Sequence, residues 1–409
     1  MTNKGFTTQI LHSDRLAGVT HGSVHKPVHN SVAYGYQTGE ELAAVFQQKQ
    51  KGYSYGRQNN PTTTALEEKI TAMEQGNATA CFATGMAAIT ASLLTLLRSG
   101  DHIISSQYLF GNTNSLFNTL TQYGIEVSFV DATDINNVVA AKQSNTRAVF
   151  VETIANPCTQ VCDLAGIGDF CEAENLLYIV DNTMTSPVLF LPKQVKAGLV
   201  INSLTKAIAG HANVLGGAVT DTGLFDWSVY PNILDTYKKG DASSWGLLQI
   251  RKKGLRDMGA TLPPQSASAI ALGSETLALR VPRACENAMA LATMFAKHAA
   301  VKTVHFPGIA SHPQHQRATE LFNDYGMLLS IDLVDDDHCF PFLNKLRCAI
   351  LSSHLGDNRT LVIPVAHTIF YEMGPERRAS MGISEGTVRI SVGIEDQQDL
   401  IEDFSQALN

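Results

Sequence analysis

The sequence predicts an α/β protein whose mainly parallel sheet is covered by helices on both faces. From Pro61 to about residue 202, short apolar stretches alternate with helical stretches, and this alternation builds a parallel sheet buried on both faces. The chain has 409 residues, more than one simple core accommodates, so we expect at least two domains. Hydrophobic residues make up 44% of the chain and charged residues 17%, which indicates a globular protein rather than a disordered one.

Residues 1–60 are predicted to form an N-terminal arm. They contain scattered His, Gly and Pro residues and one helical stretch at about residues 40–51. A segment of this kind becomes ordered by docking on something else, such as another part of the fold or a neighbouring chain.

Residues 61–262 are predicted to form the large domain. Its first helix, over residues 62–73, follows Pro61 and has a run of threonines at its start, and both features favour a helix start. A second, apolar helix is predicted over residues 86–97. The predicted strands are short and apolar, and they span residues 78–82, 102–105, 126–130, 148–152, 177–181 and 199–202.

Residues 263–409 are predicted to form a smaller α+β domain. It begins with a helix rich in Ala, Leu and Met, at about residues 276–297. Beyond that helix the strict alternation of strands and helices is lost. The other elements predicted here are strands at residues 327–333 and 388–392 and helices at residues 340–349 and 396–408.

The composition argues against several classes of partner. The net charge is −8 and the pI about 5.9, and no basic stripe is present, so we expect no nucleic-acid partner. No apolar run approaches the roughly 20 residues that a membrane span needs, and residues 1–22 lack the apolar core of a signal peptide. We therefore expect a cytoplasmic protein without a membrane partner. Cys158 and Cys162 form a C-x3-C pair without a second pair, so we predict reduced thiols and no metal site.

The strongest candidate for chemistry is Lys206, in Ser203-Leu204-Thr205-Lys206 after a predicted strand. A lysine in such a buried position can have a lowered pKa and react with an aldehyde to form a Schiff base. Ser203 and Thr205 offer hydroxyls suited to a phosphate. Taken alone, the same pattern is also typical of a helix cap followed by a surface lysine.

A second candidate, Asp181, ends a predicted apolar strand 25 residues before the lysine. The carboxyl ends of parallel strands are where such sheets bind ligands. A carboxylate there could pair with a pyridine nitrogen, keep it protonated and so make the ring an electron sink. The alternative interpretation is a turn or helix-capping aspartate.

Two loops could complete a binding site for a phosphorylated ring. Thr84-Gly85-Met86 lies between a strand and a helix, where free backbone N–H groups bind phosphate. The loop at Phe110, which continues to Asn112, could present an aromatic face, although plain packing explains such a phenylalanine equally well.

Arg389 lies in an alternating run, Thr387-Val388-Arg389-Ile390-Ser391, that predicts a strand. Its guanidinium could fork onto a substrate carboxylate, although a surface arginine on a strand is the commoner case. Each of these candidates is weak alone. Together, in chain order, they predict a phosphate loop, a ring aromatic, an acidic strand end, a lysine and a carboxylate-binding arginine.

These motifs resemble the Cys/Met metabolism family of pyridoxal 5′-phosphate enzymes, which includes transsulfuration enzymes and homoserine sulfhydrylases. Residues 55–62 resemble the family's Y-x-R-x-x-N-P-T signature, residues 84–88 its S-G-M-A-A loop and residues 152–157 its E-S-P-S-N-P segment. Residues 180–183 match V-D-N-T, residues 203–206 match S-x-T-K, and residues 388–395 resemble R-x-S-V-G-x-E. The resemblance runs from about residue 21 to residue 408.

The resemblance implies a fold-type I architecture, pyridoxal 5′-phosphate on Lys206, and a tetramer of two intimate dimers with shared active sites. By the same resemblance, Tyr55 and Arg57 would reach the phosphate bound to a neighbouring subunit. The predicted cofactor-binding residues are Tyr55, Arg57, Gly85, Met86, Phe110, Asn156, Asp181, Ser203, Thr205 and Lys206. Of these, Lys206, Asp181 and Phe110 are the predicted catalytic residues. The substrate, a small amino acid, is expected to contact Arg389, Asn156, Ser353 and His354.

Departures from the family's motifs bear on the reaction. Phe110 stands where many members have a tyrosine, and a phenyl ring cannot exchange a proton with a leaving group. Asn112 aligns with a cysteine of methionine lyases, Arg359 with a glutamate of cystathionine enzymes, and residues 363–369 are a degraded H-P-x-x-x-T-H segment. These departures favour the sulfhydrylase branch, especially the O-succinylhomoserine type.

The leading hypothesis is therefore γ-replacement on an O-acylhomoserine with sulfide or a small thiol, in methionine or transsulfuration metabolism. Lys206 would move protons on the substrate, Asp181 would keep the pyridine protonated, and Arg389 would clamp the carboxylate. The main alternative is a γ-lyase that acts on methionine or cystathionine; a β-lyase or a carbon–carbon bond-forming enzyme is a remoter one. A non-catalytic protein that binds pyridoxal phosphate for regulation is the alternative from another class.

Overall fold

Two β-sheets organise the chain, of which the computed structural model describes residues 4–15 and 18–409. The large sheet has seven strands in the order β1-β7-β6-β5-β4-β2-β3. Its strands are β1 (Ala78–Phe82), β2 (His102–Ser106), β3 (Glu126–Val130), β4 (Thr146–Glu152), β5 (Leu177–Asp181), β6 (Leu199–Asn202) and β7 (Gly217–Asp221). All neighbouring pairs are parallel except those that β7 makes with β1 and β6, which are antiparallel.

The central strands of the large sheet are buried on both faces. On β2, Ile103 belongs to one hydrophobic cluster and Ile104 to another, and on β5 the same holds for Ile179 and Val180. Because successive side chains of a strand point to opposite faces, this alternation shows that helices cover the sheet on both sides.

The strand β7 is a correction to the predicted layout. The last strand predicted for the large domain spans residues 199–202, so no strand is expected at Gly217. The structure instead starts a buried strand at Gly217, paired with β1 on one side and β6 on the other. A short Gly-Ala-Val-Thr-Asp segment has a weak local pattern, and its strand conformation depends on partners distant in sequence.

The small sheet has five strands in the order β10-β11-β12-β9-β8. They are β8 (Val301–His305), β9 (Leu328–Leu333), β10 (Ile350–Leu351), β11 (Leu361–Pro364) and β12 (Thr387–Ser391). Only β10 and β11 pair in parallel; the other neighbours are antiparallel. Residues of β9 and β12 pack in one core with α11 (Leu277–Phe295) and α15 (Gln397–Leu408).

In the part of the chain that the structure describes, ten α-helices precede the small sheet and α11. Those of the N-terminal segment come first, and the others flank the large sheet. In chain order they begin with α1 (Phe6–His12), α2 (Gly39–Phe46), α3 (Pro61–Met73), α4 (Gly85–Leu96) and α5 (Gly111–Gln122). They are followed by α6 (Ile135–Ala140), α7 (Leu164–Ala173), α8 (Ser186–Leu189), α9 (Trp245–Gln249) and α10 (Pro264–Ser274). The remaining helices are α12 (His315–Leu321), α13 (Cys339–Lys345) and α14 (Pro375–Ser380), and a π-helix spans Ile250–Asp257.

The predicted fold class is confirmed: a mixed, mainly parallel sheet is sandwiched by helices, and a second α+β unit follows it. The boundaries at residues 60 and 262 stay predictions. Two predicted helices are shorter than expected, since α2 ends at Phe46 and α13 at Lys345. Within the described residues, none of the helices has the length and apolar character needed to cross a membrane.

Candidate active site

A cavity of about 410 Å³ opens at the carboxyl ends of β4, β5 and β6, the edge where parallel sheets usually bind ligands. Residues around the large sheet line it together with residues before β11, between β11 and β12, and on β12. The lining residues are Thr84, Gly85, Met86, Ile89, Phe110, Asn112, Thr113, Glu152, Asn156, Asp181, Thr183, Met184, Ser203, Thr205, Lys206, Leu215, Ser353, His354, Leu355, Ile369 and Arg389.

Two carboxyl groups lie side by side on the floor of the cavity. Glu152 and Asp181 are paired residues at the ends of the parallel strands β4 and β5. Burial raises the pKa of Asp181 to about 6, against the hydrogen bond that it accepts from the Thr183 backbone N–H at 2.9 Å. Burial, and then the Asp181 carboxylate, raise the pKa of Glu152 well above its usual range. Two adjacent buried carboxyls resist double ionisation, so the pair retains a proton to a higher pH than an isolated carboxyl does.

Lys206 follows β6 and its amine faces the same cavity. Burial and then the charge of Arg389 lower its pKa to about 8, which brings the amine close to the range useful for proton transfer. The Nζ atom lies 3.4 Å from Nδ1 of His354.

Arg389 is buried on β12 at 1% exposure, and its guanidinium reaches the cavity. Nη2 donates to the backbone carbonyls of Ser353 and His354 at 2.9 and 3.0 Å, and Nη1 donates to Oδ1 of Asn156 at 3.3 Å. Nε has no partner within the described part of the chain, and no carboxylate of that part neutralises the guanidinium. Burial lowers the pKa of Arg389 to about 10, so the group stays charged and suits an anionic substrate group.

The N-terminus of α4 also lines the cavity, and its backbone N–H groups are suited to bind an anion. Thr84 caps the helix by accepting from the Ala87 N–H at 3.0 Å, while the preceding amides of Gly85 and Met86 have no intrahelical acceptor. A Cβ at Gly85 would lie 2.9 Å from the Cβ of Ser203, so only glycine allows this close approach. The Thr205 hydroxyl is occupied by the Gly216 amide and carbonyl, which leaves Ser203 as the freer hydroxyl.

Phe110 precedes α5, and its position is fixed by the floor of the cavity. Its backbone N–H donates to Oε1 of Glu152 at 2.7 Å. Glu152 therefore links the loop that carries the aromatic ring to the strand end that carries Asp181. Asn112, the second residue of α5, also lines the cavity.

Together these residues fit pyridoxal 5′-phosphate. Gly85, Met86 and Ser203 would hold the phosphate, Asp181 the pyridine nitrogen and Lys206 the aldehyde carbon. Phe110 and Asn156 would flank the ring, and Arg389 would face the carboxylate of a bound amino acid.

The structure brings together every predicted site residue except Tyr55 and Arg57. Tyr55 is 47% exposed, with the Arg57 guanidinium 5.4 Å from its ring centroid, and neither lines the cavity. That they serve a neighbouring subunit stays a prediction. Glu152 is the residue whose importance sequence reasoning missed, although it carries the same signal as Asp181: a carboxylate at the end of a buried parallel strand.

A larger cavity of about 600 Å³ lies elsewhere, beside β8, and shares none of these residues. It is lined in part by Cys158, His305 and His312. His305 is paired with Asp332 at 2.7 Å, and burial raises the pKa of the Cys158 thiol to about 12. Among the residues that the structure describes, no group of three or more His, Cys, Asp or Glu side chains is arranged to hold a metal ion.

Comparisons with known proteins agree with this geometry. The family model of the Cys/Met metabolism PLP-dependent enzymes matches residues 7–409. The chain is 35% identical to an L-methionine gamma-lyase of Fusobacterium nucleatum, over 99% of this chain and 98% of that protein. It is 34% identical to an O-acetyl-L-homoserine sulfhydrylase of Corynebacterium glutamicum, over 98% of this chain and 96% of that one.

Among solved structures, the chain resembles a Campylobacter jejuni protein described as an O-acetylhomoserine (thiol)-lyase, with a TM-score of 0.94 and 28% identity. That match covers 99% of this chain and 100% of the other. The Campylobacter structure contains N′-pyridoxyl-lysine-5′-monophosphate.

Proposed function

The chain belongs to the Cys/Met metabolism family of PLP-dependent enzymes, and we propose that it catalyses γ-replacement on an O-acylhomoserine with sulfide or a small thiol. Pyridoxal 5′-phosphate is the cofactor, and it supplies an electron sink for the charge that develops on a substrate carbon. The class of acyl group, acetyl or succinyl, is left to the experiment below.

The residues of the cavity have separate tasks in this proposal. Lys206 takes the proton from the α-carbon, since its amine has a pKa lowered to about 8. Asp181 keeps the pyridine nitrogen protonated, and Glu152 holds the Phe110 loop against the ring. Arg389 binds the α-carboxylate and thereby fixes which bond at the α-carbon lies over the ring.

The observation that carries the choice of substrate is the chemistry of the cavity wall. Among the lining residues that the structure describes in this chain there is no tyrosine and no cysteine, so the chain's own wall offers no phenol or thiol that could protonate a leaving group. Tyr55, which we propose a neighbouring subunit contributes, is assigned to the cofactor phosphate. A carboxylate leaves as a stable anion, whereas a thiolate is more basic by roughly four to five pKa units. The lining of the cavity therefore suits the departure of an acyloxy group better than the departure of a thiolate from methionine.

Similarity supports the same choice without deciding it. The structural resemblance to the Campylobacter (thiol)-lyase and the sequence resemblance to the Corynebacterium sulfhydrylase both favour γ-replacement. The resemblance to methionine gamma-lyases of Fusobacterium favours a second candidate, γ-elimination from methionine. Both reactions share removal of the α-proton by Lys206.

Product analysis of the purified holoenzyme separates the two candidates. The protein is given O-acetylhomoserine, O-succinylhomoserine or methionine, each with and without sulfide. We expect homocysteine from one acyl ester only when sulfide is present, with little 2-oxobutyrate in its absence. Dominant 2-oxobutyrate from methionine, whether or not sulfide is added, would overturn γ-replacement in favour of the lyase.

We propose in addition that the active sites are shared between subunits of a dimer-based tetramer. Tyr55 and Arg57 lie outside the cavity of their own chain, and the exposed ring of Tyr55 leaves both available to a neighbour. Mixing an Arg57→Ala variant with a Lys206→Ala variant tests this proposal. Shared sites predict that activity reappears in the mixture, whereas sites built from one chain predict none.

A further inference from the structure

The segment of residues 256–261, at the end of the π-helix, holds the arm residue Arg57 at two points. Nη1 of Arg57 donates to the Arg256 backbone carbonyl, and the Thr261 hydroxyl donates to the Arg57 backbone carbonyl at 3.1 Å. The partners are 199 and 204 positions apart in the sequence. Both bonds are therefore tertiary contacts, and they fix the backbone of the arm and the direction of its guanidinium together.

These contacts leave the positive charge of Arg57 available. The groups that hold it are a neutral carbonyl and a hydroxyl, and among the described residues no carboxylate pairs with Arg57. The residue is exposed, and a guanidinium with one N–H in use still has others to donate. An arginine that is fixed in direction but not neutralised suits an anion outside its own contacts.

The same segment is joined to the anion-binding end of α4 in its own chain. The Ala260 carbonyl accepts from the Ala83 N–H at 2.9 Å, and Ala83 comes directly before Thr84, which caps α4. The π-helix also packs closely on α4, since a Cβ on Gly254 would lie 2.8 Å from the Cβ of Ala91. The position of Arg57 is thus fixed relative to the phosphate end of the large sheet.

We propose that Thr261 is a positioning residue, whose hydroxyl holds Arg57 in the direction that presents the guanidinium to the cofactor phosphate of a neighbouring subunit. The inference rests on the proposed sharing of active sites. Neither Thr261 nor Arg57 lines the cavity of its own chain, so Thr261 acts through Arg57. A side chain that is already held in its binding direction loses less conformational entropy on binding. Loss of the hydroxyl in one chain should therefore weaken the cofactor in the site of the other.

Mixed assemblies of two chains test this inference through cofactor affinity. One chain keeps Lys206, and the other carries Lys206→Ala and is co-expressed in large excess, so that almost every chain with Lys206 has it as a neighbour. The visible absorbance of cofactor joined to lysine then reports sites that take Arg57 from the Lys206→Ala chain. Thr261→Val is placed on either chain in turn. The apo-assemblies are titrated with pyridoxal 5′-phosphate, and the dissociation constants are compared.

We expect Thr261→Val on the Lys206→Ala chain to weaken cofactor binding about fivefold, and on the other chain to change it less than about twofold. Thr261→Ser, which keeps the hydroxyl, should stay within about twofold on either chain. Thr293→Val is the matched control, because the exposed Thr293 hydroxyl bonds within its own helix. Arg57→Ala is the reference for shared sites and should weaken binding about a hundredfold when it lies on the Lys206→Ala chain.

The two arrangements contain the same substitutions, so a general loss of fold lowers affinity in both. Equal weakening in both arrangements, weakening only on the chain with Lys206, or none in either would overturn the inference. Thermal unfolding of the apo-proteins identifies a valine variant that does not fold, and Thr261→Ala then takes its place.

The Arg57→Ala reference separates the possible failures. Without an effect of Arg57→Ala across chains, the sharing of sites is wrong and the role of Thr261 falls with it. With such an effect but none of Thr261→Val, the sites are shared and only this inference is wrong. Because affinity is measured without substrate, a failure of γ-replacement in product analysis leaves both outcomes unchanged.

Discussion

The large sheet has a buried aspartate at each of the two opposite sides on which its strands end. One of them, Asp181, borders the cavity described above. Asp181 ends β5 at the site edge, which we define by Glu152, Asp181 and Lys206. Asp221 ends β7 at the far edge, where it pairs with Leu199 at the beginning of β6. Since β7 runs antiparallel to β5 and β6, the two carboxyl ends lie on opposite sides of the sheet.

Burial acts on the two carboxyl groups in the same way. It raises the pKa of Asp181 to about 6 and that of Asp221 to about 6. What differs is the set of partners. Both oxygens of Asp221 are satisfied, by the Gly223 N–H and the Trp227 indole N–H, each at 2.8 Å. Asp181 faces an open cavity next to Glu152 and accepts only from Thr183 among the described residues.

A raised pKa is therefore not a sign of function by itself. It reports burial, which a structural carboxyl and a catalytic one share. The distinguishing feature of the site edge is that charged side chains from distant parts of the chain, such as Asp181, Lys206 and Arg389, line one cavity. Removing groups from either edge tests this distinction.

The largest effect is expected at Lys206. Lys206→Ala removes the amine that we propose both holds the cofactor and moves the α-proton, so turnover should fall about 10³-fold or more. The fold should be retained, because Lys206 makes no salt bridge among the described residues. Product assays and circular dichroism provide the measurement, and Lys297→Ala, on the exposed surface, is the control. Full turnover in the Lys206 variant would refute the assignment.

The next largest effect is expected for Asp181→Ala. Loss of the carboxylate would leave the pyridine nitrogen without the counter-charge that we propose Asp181 provides, and turnover should fall about 10²- to 10³-fold. Stability of the apo-protein should change little, since Asp181 satisfies one backbone N–H. Steady-state kinetics with saturating cofactor, together with thermal unfolding of the apo-protein, measure the two effects. A variant that loses stability and keeps its turnover would show that Asp181 is a structural carboxyl, like Asp221.

Asp221→Ala should show the converse. It leaves the indole N–H of Trp227 buried without an acceptor and removes the hydrogen bond of the partly buried Gly223 N–H, at a cost of about 2 kcal/mol in the free energy of unfolding. Turnover per folded molecule should remain that of the wild type. Denaturant unfolding and active-site titration give the two numbers, and a fall in turnover of the folded fraction would contradict the distinction between the edges.

The fold could largely be predicted because its strands carry strong local signals. The structure places β1, β3, β5 and β6 at the predicted residues. Their apolar runs end in polar residues, which marks strand ends without knowledge of their partners. By contrast, β7 is short, starts with glycine, and is a strand because β1 and β6 pair with it, so its signal is not local.

The site was predictable to the extent that its residues lie at strand ends. Asp181 and Lys206 follow from that rule, and Glu152, which ends β4, carries the same signal. His354 is different: it is expected only from the family resemblance, because it lies in a segment before β11 and is 148 residues from Lys206. Only the packing of the small sheet against the large domain brings its ring to the lysine, and no local pattern contains that information.

The smallest effect, on pH dependence, concerns a third buried carboxyl, Glu74, which lies behind the site edge and does not line the cavity. Oε1 of Glu74 accepts from the side-chain amides of Asn182 and Asn202 at 3.1 and 2.6 Å. Burial raises its pKa from 4.5 to about 7. A carboxyl whose pKa is higher in the folded state stabilises the fold below the unfolded pKa and loses that contribution as pH rises through the folded pKa.

The free energy of unfolding of the wild type should accordingly fall between about pH 5 and pH 8. In Glu74→Gln this fall should be smaller by an amount on the order of 2 kcal/mol. Thermal midpoints of both proteins across this range, at fixed protein and cofactor concentrations, are the measurement. Turnover at pH 7 should stay within about twofold, because Glu74 resembles Asp221 in pointing away from the cavity. Suppose instead that turnover falls strongly while the pH dependence of stability is unchanged. Glu74 would then support catalysis from behind Asn182, without lining the cavity. Contact with the cavity would no longer distinguish catalytic carboxyls from structural ones.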